Sequence, residues 1–251
     1  MAPVGTEAII LRKIDFRETS VILDLLSMKL GKIRGVLKGV RKPKSRVAPL
    51  AFHPGSYIFV FVYPRSRGGL MLLHAPQLVQ AFPMAGAKRS AIWQLMLRLV
   101  NLFLPEQEKC QEVVRALLES GQMMMGKVSP EVVYVWFKMK MVRLLGYGLE
   151  LNRCLLCRRQ GKLGFISGRL GGVLCDRCLP RDRRAVRISR AVLGVMRYLE
   201  RTPAERLEVI KKIPAEILEK TNFFLNLVLQ YHAEAGYIWW QDERNIFAGS
   251  N

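Results

Sequence analysis

Two cysteine pairs, Cys154-x-x-Cys157 and Cys175-x-x-Cys178, are separated by seventeen residues, and no other feature restricts the fold of this chain so tightly. Two such pairs on two sharp turns let four thiolates converge on a tetrahedron about 2.3 Å from a zinc ion. Residues 151–184 are therefore expected to fold as a zinc finger, with one structural Zn2+ held by Cys154, Cys157, Cys175 and Cys178. Four protein donors leave no position for water, which argues against hydrolysis at the ion. Arg153, Arg158, Arg159 and Arg177 stand beside the ligands and offset the net negative charge of four thiolates on one dication. Five cysteines is an odd number, and two close pairs among them suggest metal in a reducing compartment rather than disulfides. The fifth, Cys110, reads as an inert thiol in a helix.

The finger interrupts a chain whose periodicity changes once. Before Pro83, apolar residues alternate or run in short bursts punctuated by Gly and Pro, the pattern of consecutive strands. Strands are expected over 6–14, 19–28, 32–40, 56–63 and 69–81, enough for a small closed barrel of the OB type. In the fourth, Tyr57, Phe59, Phe61 and Tyr63 share one face and Ile58, Val60 and Val62 the other, so both faces should be covered. After Pro83 the spacing is helical. Helices are expected over 90–104, 106–125 and 130–145, the last capped by Ser129 with Pro130 at N1 and stopped by Gly146. Ser189 should cap a helix to Arg201, Thr202 and Glu205 should open another, and a last long helix should run from 216 to 235 with Gly236 as its cap. The fold class is α+β: a five-stranded OB-fold barrel over 1–82, then an all-helical domain over 83–251 with the four-cysteine zinc finger inserted at 151–184.

Charge supplies the functional reading. The chain of 251 residues carries 40 Lys and Arg against 20 Asp and Glu, a formal +20. Sixteen of those excess charges lie in residues 1–82 and 151–184. Half the residues are apolar, which excludes charge-driven disorder, and no window approaches the ~18 apolar residues of a membrane span, so a soluble cytoplasmic protein is expected. A chain this basic will seek polyanions. The stretch from Lys38 to Arg46 holds five cations and no acid. Arg12, Lys13, Arg34, Lys38, Arg41, Lys42, Lys44 and Arg46 are the expected DNA-binding residues, neutralising successive phosphates and releasing counterions. Phe16, among Arg12, Lys13 and Arg17, either stacks on a base or closes the barrel end.

No catalytic residue is assigned. His232-Ala233-Glu234 has the letters of a deaminase acid/base motif but lies downstream of the cysteines, and neither pair follows a proline. Gly121-x4-Gly126-Lys127 imitates a phosphate-binding loop, yet Val128 follows and the preceding segment is helical. On the helix from Pro130, Val132, Val135, Trp136, Met139 and Val142 can line a groove beside Lys138, Lys140 and Arg143. An acidic peptide ending in a hydrophobic residue would suit it, although ordinary packing accounts for the pattern equally well. A zinc-containing RNA-binding or ribosome-associated protein shares the charge and the metal and remains the alternative.

Several segments together point to one family. Leu144-Leu145-Gly146-Tyr147-Gly148-Leu149-Glu150-Leu151-Asn152-Arg153-Cys154-x-x-Cys157, then Phe165-x-Ser167 and Gly171-Gly172-Val173-Leu174-Cys175-x-x-Cys178, resemble the bacterial recombination mediator family RecO. So do Asp15-Phe16-Arg17-Glu18, Gly31, Lys38-Gly39-Val40-Arg41 and Lys44-Ser45-Arg46. The resemblance spans nearly the whole chain in order, with Leu149 standing where proline is expected. It implies an OB barrel and a helical domain, no enzymatic turnover, and binding of single- and double-stranded DNA. It further implies annealing of complementary strands and, with RecR, help in loading RecA onto strands coated by single-stranded-DNA-binding protein, whose acidic C-terminal tail is also bound. The implied location is the cytoplasm, at the nucleoid. Zinc rests on the four thiols of this sequence rather than on membership.

Overall fold

A computed structural model describes residues 2–40, 52–64, 69–209, 213–232 and 243. The chain divides into two compact units, 1–125 and 126–251. The first opens with five strands: β1 (Val4–Phe16), β2 (Ser20–Ser27), β3 (Gly31–Leu37), β4 (Tyr57–Tyr63) and β5 (Met71–Gln80). They close into a barrel in the order β1-β2-β3-β5-β4. Every pairing is antiparallel except that of β3 with β5, where Gly35, Val36 and Leu37 lie beside Met71, Leu72 and Leu73. Alternate residues point inward, and Ile10, Leu23, Leu25, Ile33, Ile58 and Val60 fill the interior. Each large apolar side chain removed from water contributes roughly 1.5–3 kcal/mol. A one-residue slip would turn that whole set outward, so the lining also fixes the register.

On β4 the aliphatic face, not the aromatic one, turns into the barrel. Tyr57 is buried, but Phe61 and Tyr63 each keep 37% of their surface exposed. Full cover on both faces is therefore not found. Phe59 and Phe61 instead pack edge to face at 5.3 Å and lean over Gly5 of β1, where a Cβ would stand 2.9 Å from Phe59 Cζ.

Two helices, α1 (Ala87–Phe103) and α2 (Gln111–Met125), belong to the same compact unit. α1 buries Trp93, Met96, Leu99 and Val100, and Phe82, just beyond β5, packs against Trp93 at 5.6 Å. α2 starts at Gln111 rather than at Glu106. The reason is a backbone group left over on β3: β5 pairs only from Gly35 onward, so the Lys32 carbonyl takes its hydrogen from Gln107 N–H at 2.8 Å. The chain must run beside β3 before it can coil.

The second unit holds α3 (Pro130–Leu144), β6 (Leu163–Ser167), β7 (Gly172–Cys175), β8 (Val186–Arg187), α4 (Arg190–Arg201) and α5 (Ala215–His232). The short strands form one antiparallel sheet in the order β7-β6-β8. Pro130 sits in the first turn of α3 as expected, though the Ser129 hydroxyl donates to Glu131 rather than accepting from the helix. Gly146, at φ 85°, closes it. Ser189 caps α4, accepting from Val192 N–H at 3.2 Å. Thr202 does not open a further α-helix; it ends α4, its N–H and hydroxyl both donating to the Tyr198 carbonyl. Ala204–Val209 then form a 3-10 turn. The expected cap at Gly236 lies outside the described residues.

Candidate metal centre and nucleic-acid interface

The β6–β7 hairpin carries Cys175 opposite Leu163, and the segment after α3 brings the first pair to it. Leu155 N–H donates to Val173 O of β7 at 2.9 Å, and Arg158 N–H to Cys154 O at 2.8 Å. Arg158 adopts φ 61°, the left-handed step that lets the turn close on itself. On the second turn, Cys178 N–H donates to Cys175 O at 3.0 Å. The four Sγ atoms all fall within 4.8 Å of one another, and those of Cys157 and Cys175 are 3.7 Å apart. A tetrahedral ion with ~2.3 Å bonds separates its sulfurs by about 3.8 Å, so the residues present fit zinc. None of these cysteines is in a disulfide.

The thiols are unequal without a cation. Burial raises Cys154, but backbone N–H groups of Cys157, Cys175 and Leu156 outweigh it and bring the thiol down to about 6. Burial and the neighbouring cysteines push Cys178 up. A divalent ion supplies the counter-charge that all four thiolates can share.

The surrounding residues hold the turns in place. Gly172 lies against Glu150, whose carbonyl would stand 2.9 Å from any Cβ there, and Val173 N–H donates to that carbonyl at 2.9 Å. Glu150 accepts from Arg153 Nε at 2.9 Å, Arg158 Nη1 at 3.4 Å and Asn152 N–H at 3.1 Å, and the bonds from Arg153, first, and from Asn152 hold its carboxyl below the usual carboxylate range. Two of the four arginines credited with balancing the thiolates thus also answer to a carboxylate. Buried Ser167, at the end of β6, donates to buried Asp182, just past the turn that follows Cys178, and Asp182 accepts from Arg184 N–H at 3.2 Å. Nothing in the cysteine spacing points to this pair.

On the barrel, Arg12, Lys13 and Lys38 are exposed. Arg12, Asp24 and Arg34 stand side by side on adjacent strands. Arg34 is bound in a fork, Nε to Asp24 Oδ1 at 2.5 Å and Nη2 to Oδ2 at 3.0 Å, so its charge is already balanced on one side. Arg12 also lines a cleft of about 500 Å3 with Leu11 and with Gln94, Arg98, Asn101 and Leu102 of α1. Arg98 is missed by sequence reasoning because nothing in a helical period tells which strand the helix lies against. The Arg17 guanidinium sits 5.2 Å over the half-buried Phe16 ring. Arg41, Lys42, Lys44 and Arg46 lie outside the described residues.

The groove expected on α3 does not form. Val132, Val135, Trp136, Met139 and Val142 are all buried, and so is Lys138, with none of its surface exposed. Residues 132–139 are buried without a break, the pattern of a core helix rather than an amphipathic surface one, so the apolar stripe is only part of what the middle of α3 buries. The Lys138 ammonium is committed to Glu243 Oε1 at 2.7 Å and Asn222 Oδ1 at 2.7 Å and cannot meet a peptide. Lys140 lies 5.3 Å over the Trp136 ring, and Arg143 is exposed.

Among the described residues no helix is long and apolar enough to cross a membrane. Two family models match the chain: recombination protein O N terminal over residues 1–82 and recombination protein O C terminal over residues 86–238. It is similar to the DNA repair protein RecO of Clostridium perfringens, 24% identical over 235 residues that cover 91% of this chain and 94% of that protein. The RecO protein of Chlorobium phaeobacteroides is 27% identical over 248 residues, covering 91% and 90%. That of Bacillus subtilis is 29% identical over 182 residues, covering 70% and 69%.

Proposed function

Because the chain belongs to the recombination protein O family of DNA repair proteins, we propose that it is a recombination mediator that grips DNA backbones and breaks no bonds. The observation carrying this reading is the exposure of Arg12, Lys13 and Lys38 on one closed barrel of the kind that tracks single strands. Arg41, Lys42, Lys44 and Arg46 continue the same cationic run along the sequence. Cations that neutralise phosphates on two strands at once lower their mutual repulsion, so complementary bases can pair. With RecR, the protein helps load RecA onto strands coated by single-stranded-DNA-binding protein, whose tail it also engages; both partners follow from the family resemblance. Zinc held by Cys154, Cys157, Cys175 and Cys178 would cross-link the turns of the finger and supply no reactive position. The protein acts in the cytoplasm at the nucleoid.

Two complementary oligonucleotides, one labelled, test this directly. The chain should accelerate their annealing, with and without the coating protein, and leave both strands intact. No acceleration would defeat the reading, and a large preference for matched RNA strands would favour the RNA-binding alternative.

A further inference from the structure

At the end of α4 the second unit has a cationic cleft that the reading above does not use. It has a volume of about 310 Å3 and is lined by Arg197, Tyr198, Arg201, Thr202, Pro203 and Arg206. Tyr198 keeps 49% of its surface exposed in the last turn of α4, whose opposite face buries Val192, Leu193, Met196 and Leu199. Arg197 is committed, with Nε and Nη2 donating to Leu151 O at 2.8 and 2.6 Å. Arg201 is steadied by one bond, Nη2 to Asn152 Oδ1 at 3.0 Å, and Arg206 is exposed on the following 3-10 turn.

One turn before the ring, on the same side of the helix, is Gly194. A glycine inside an exposed helix weakens it relative to alanine, so a packing reason is expected. There is none: a Cβ at Gly194 would have nothing within 4 Å, and the residue is exposed. Helical side chains lean toward the N-terminal turn, so the space kept open is the space beside the Tyr198 ring.

We infer that this cleft binds single-stranded nucleic acid, one base stacked on Tyr198 over the bare turn at Gly194 and the flanking phosphates on Arg201 and Arg206. This rests on the DNA-binding reading and adds a second place where a strand is held. An acidic peptide with an apolar anchor suits the cleft less well, because its apolar lining comes from the Tyr198 ring, Pro203 and the arginine stems, with no Leu, Ile, Val or Met to seat the anchor. A planar base needs only the ring and the room.

The test uses the full chain and two probes, an oligodeoxythymidylate of about 16 nucleotides and a duplex of equal length. Tyr198→Ala should lower affinity for the single strand about tenfold, Tyr198→Trp should restore it, and duplex binding, which offers no free base, should not change. Gly194→Leu should raise the melting temperature yet weaken single-strand binding, two effects that a purely structural role would not give together. Unchanged single-strand affinity in Tyr198→Ala, or equal losses on both probes, would overturn the inference while leaving the barrel reading in place. If the unaltered chain bound neither probe, both readings would fall. Tyr198-dependent binding of an acidic peptide ending in Phe, with the oligonucleotide indifferent to Tyr198, would assign the cleft to a protein partner instead.

Discussion

Lys138 carries an ammonium into the middle of α3, where none of its surface reaches water, and burial pulls its pKa from 10.5 down to about 8 against the opposing pull of Glu243. Glu243 holds that charge in place and also accepts from Tyr134 and from Asn222 and Asn226 Nδ2, the last at 2.6 Å. Removing one member of a buried pair strands the other, which costs about 3–5 kcal/mol. Glu243→Ala should therefore lose roughly that much stability in urea unfolding, and Lys138→Met/Glu243→Leu together should lose less than the sum of the singles. Equal losses that simply add would mean the pair is not coupled. Sequence alone presents Lys138 as a surface cation because its partners stand far along the chain, at 222, 226 and 243. Tyr57 gives a pH prediction of the opposite kind. Burial first, then its hydrogen bond to Glu7 Oε2 at 2.8 Å, raise its hydroxyl from 10.0 to about 12. Between those values the folded chain keeps a proton that the unfolded chain has lost, so this group's contribution falls as pH rises through the window. Tyr57→Phe lacks that titration. Its stability relative to the unaltered protein should improve on going from about pH 9 to about pH 11, by on the order of 1 kcal/mol, and a difference that stays flat would exclude the linkage.

At the scale of elements, what is legible depends on whether a segment's structure is set by its own side chains. The five barrel strands and α1, α4 and α5 are legible because each buries a face that repeats every 2 or 3.6 residues, and α3, buried along its whole middle, because Ser129, Pro130 and Gly146 mark its ends. β8, two residues long, has no period to read. The start of α2 differs from its expected place because a carbonyl on β3 decides it. The finger is located by its cysteines, but its β6–β7 hairpin is built by Glu150 pairing with Gly172 and by Ser167 with Asp182, contacts that spacing does not encode. β6 and β7 bury Leu163, Ile166, Val173 and Leu174, but a hairpin this short is marginal by itself, so a bound ion should carry much of the finger's stability. Metal binding in such modules is worth roughly 10–16 kcal/mol and appears as folding free energy. Freshly purified protein should hold one zinc per chain by elemental analysis. Chelation, or Cys157→Ser, should release it and abolish amide protection across β6 and β7 in hydrogen exchange, while the barrel strands stay protected. Protection that survives metal loss would show the hairpin to be self-sufficient.

For the molecule as a whole, a net charge of +20 guarantees attraction to any polyanion, so weak binding at low salt says little about where a strand lies. The salt slope says more, because each phosphate neutralised adds about 0.9 to it on duplex DNA. The structure divides the barrel cations into two kinds. Arg12, Lys13 and Lys38 are exposed, whereas Arg34 already shares its charge with Asp24, which is only 3% exposed. The triple change of Arg12, Lys13 and Lys38 to Ala should flatten the slope by roughly 2–3, with little effect on folding. Arg34→Ala should change the slope by less than one such step, yet cost about 1–3 kcal/mol of stability because a buried carboxylate loses its fork. Measuring both quantities for both variants separates them: if Arg34→Ala flattens the slope as much as a full contact does, the guanidinium leaves Asp24 when DNA arrives, and the row Arg12–Asp24–Arg34 works as an exchange in which phosphate displaces carboxylate.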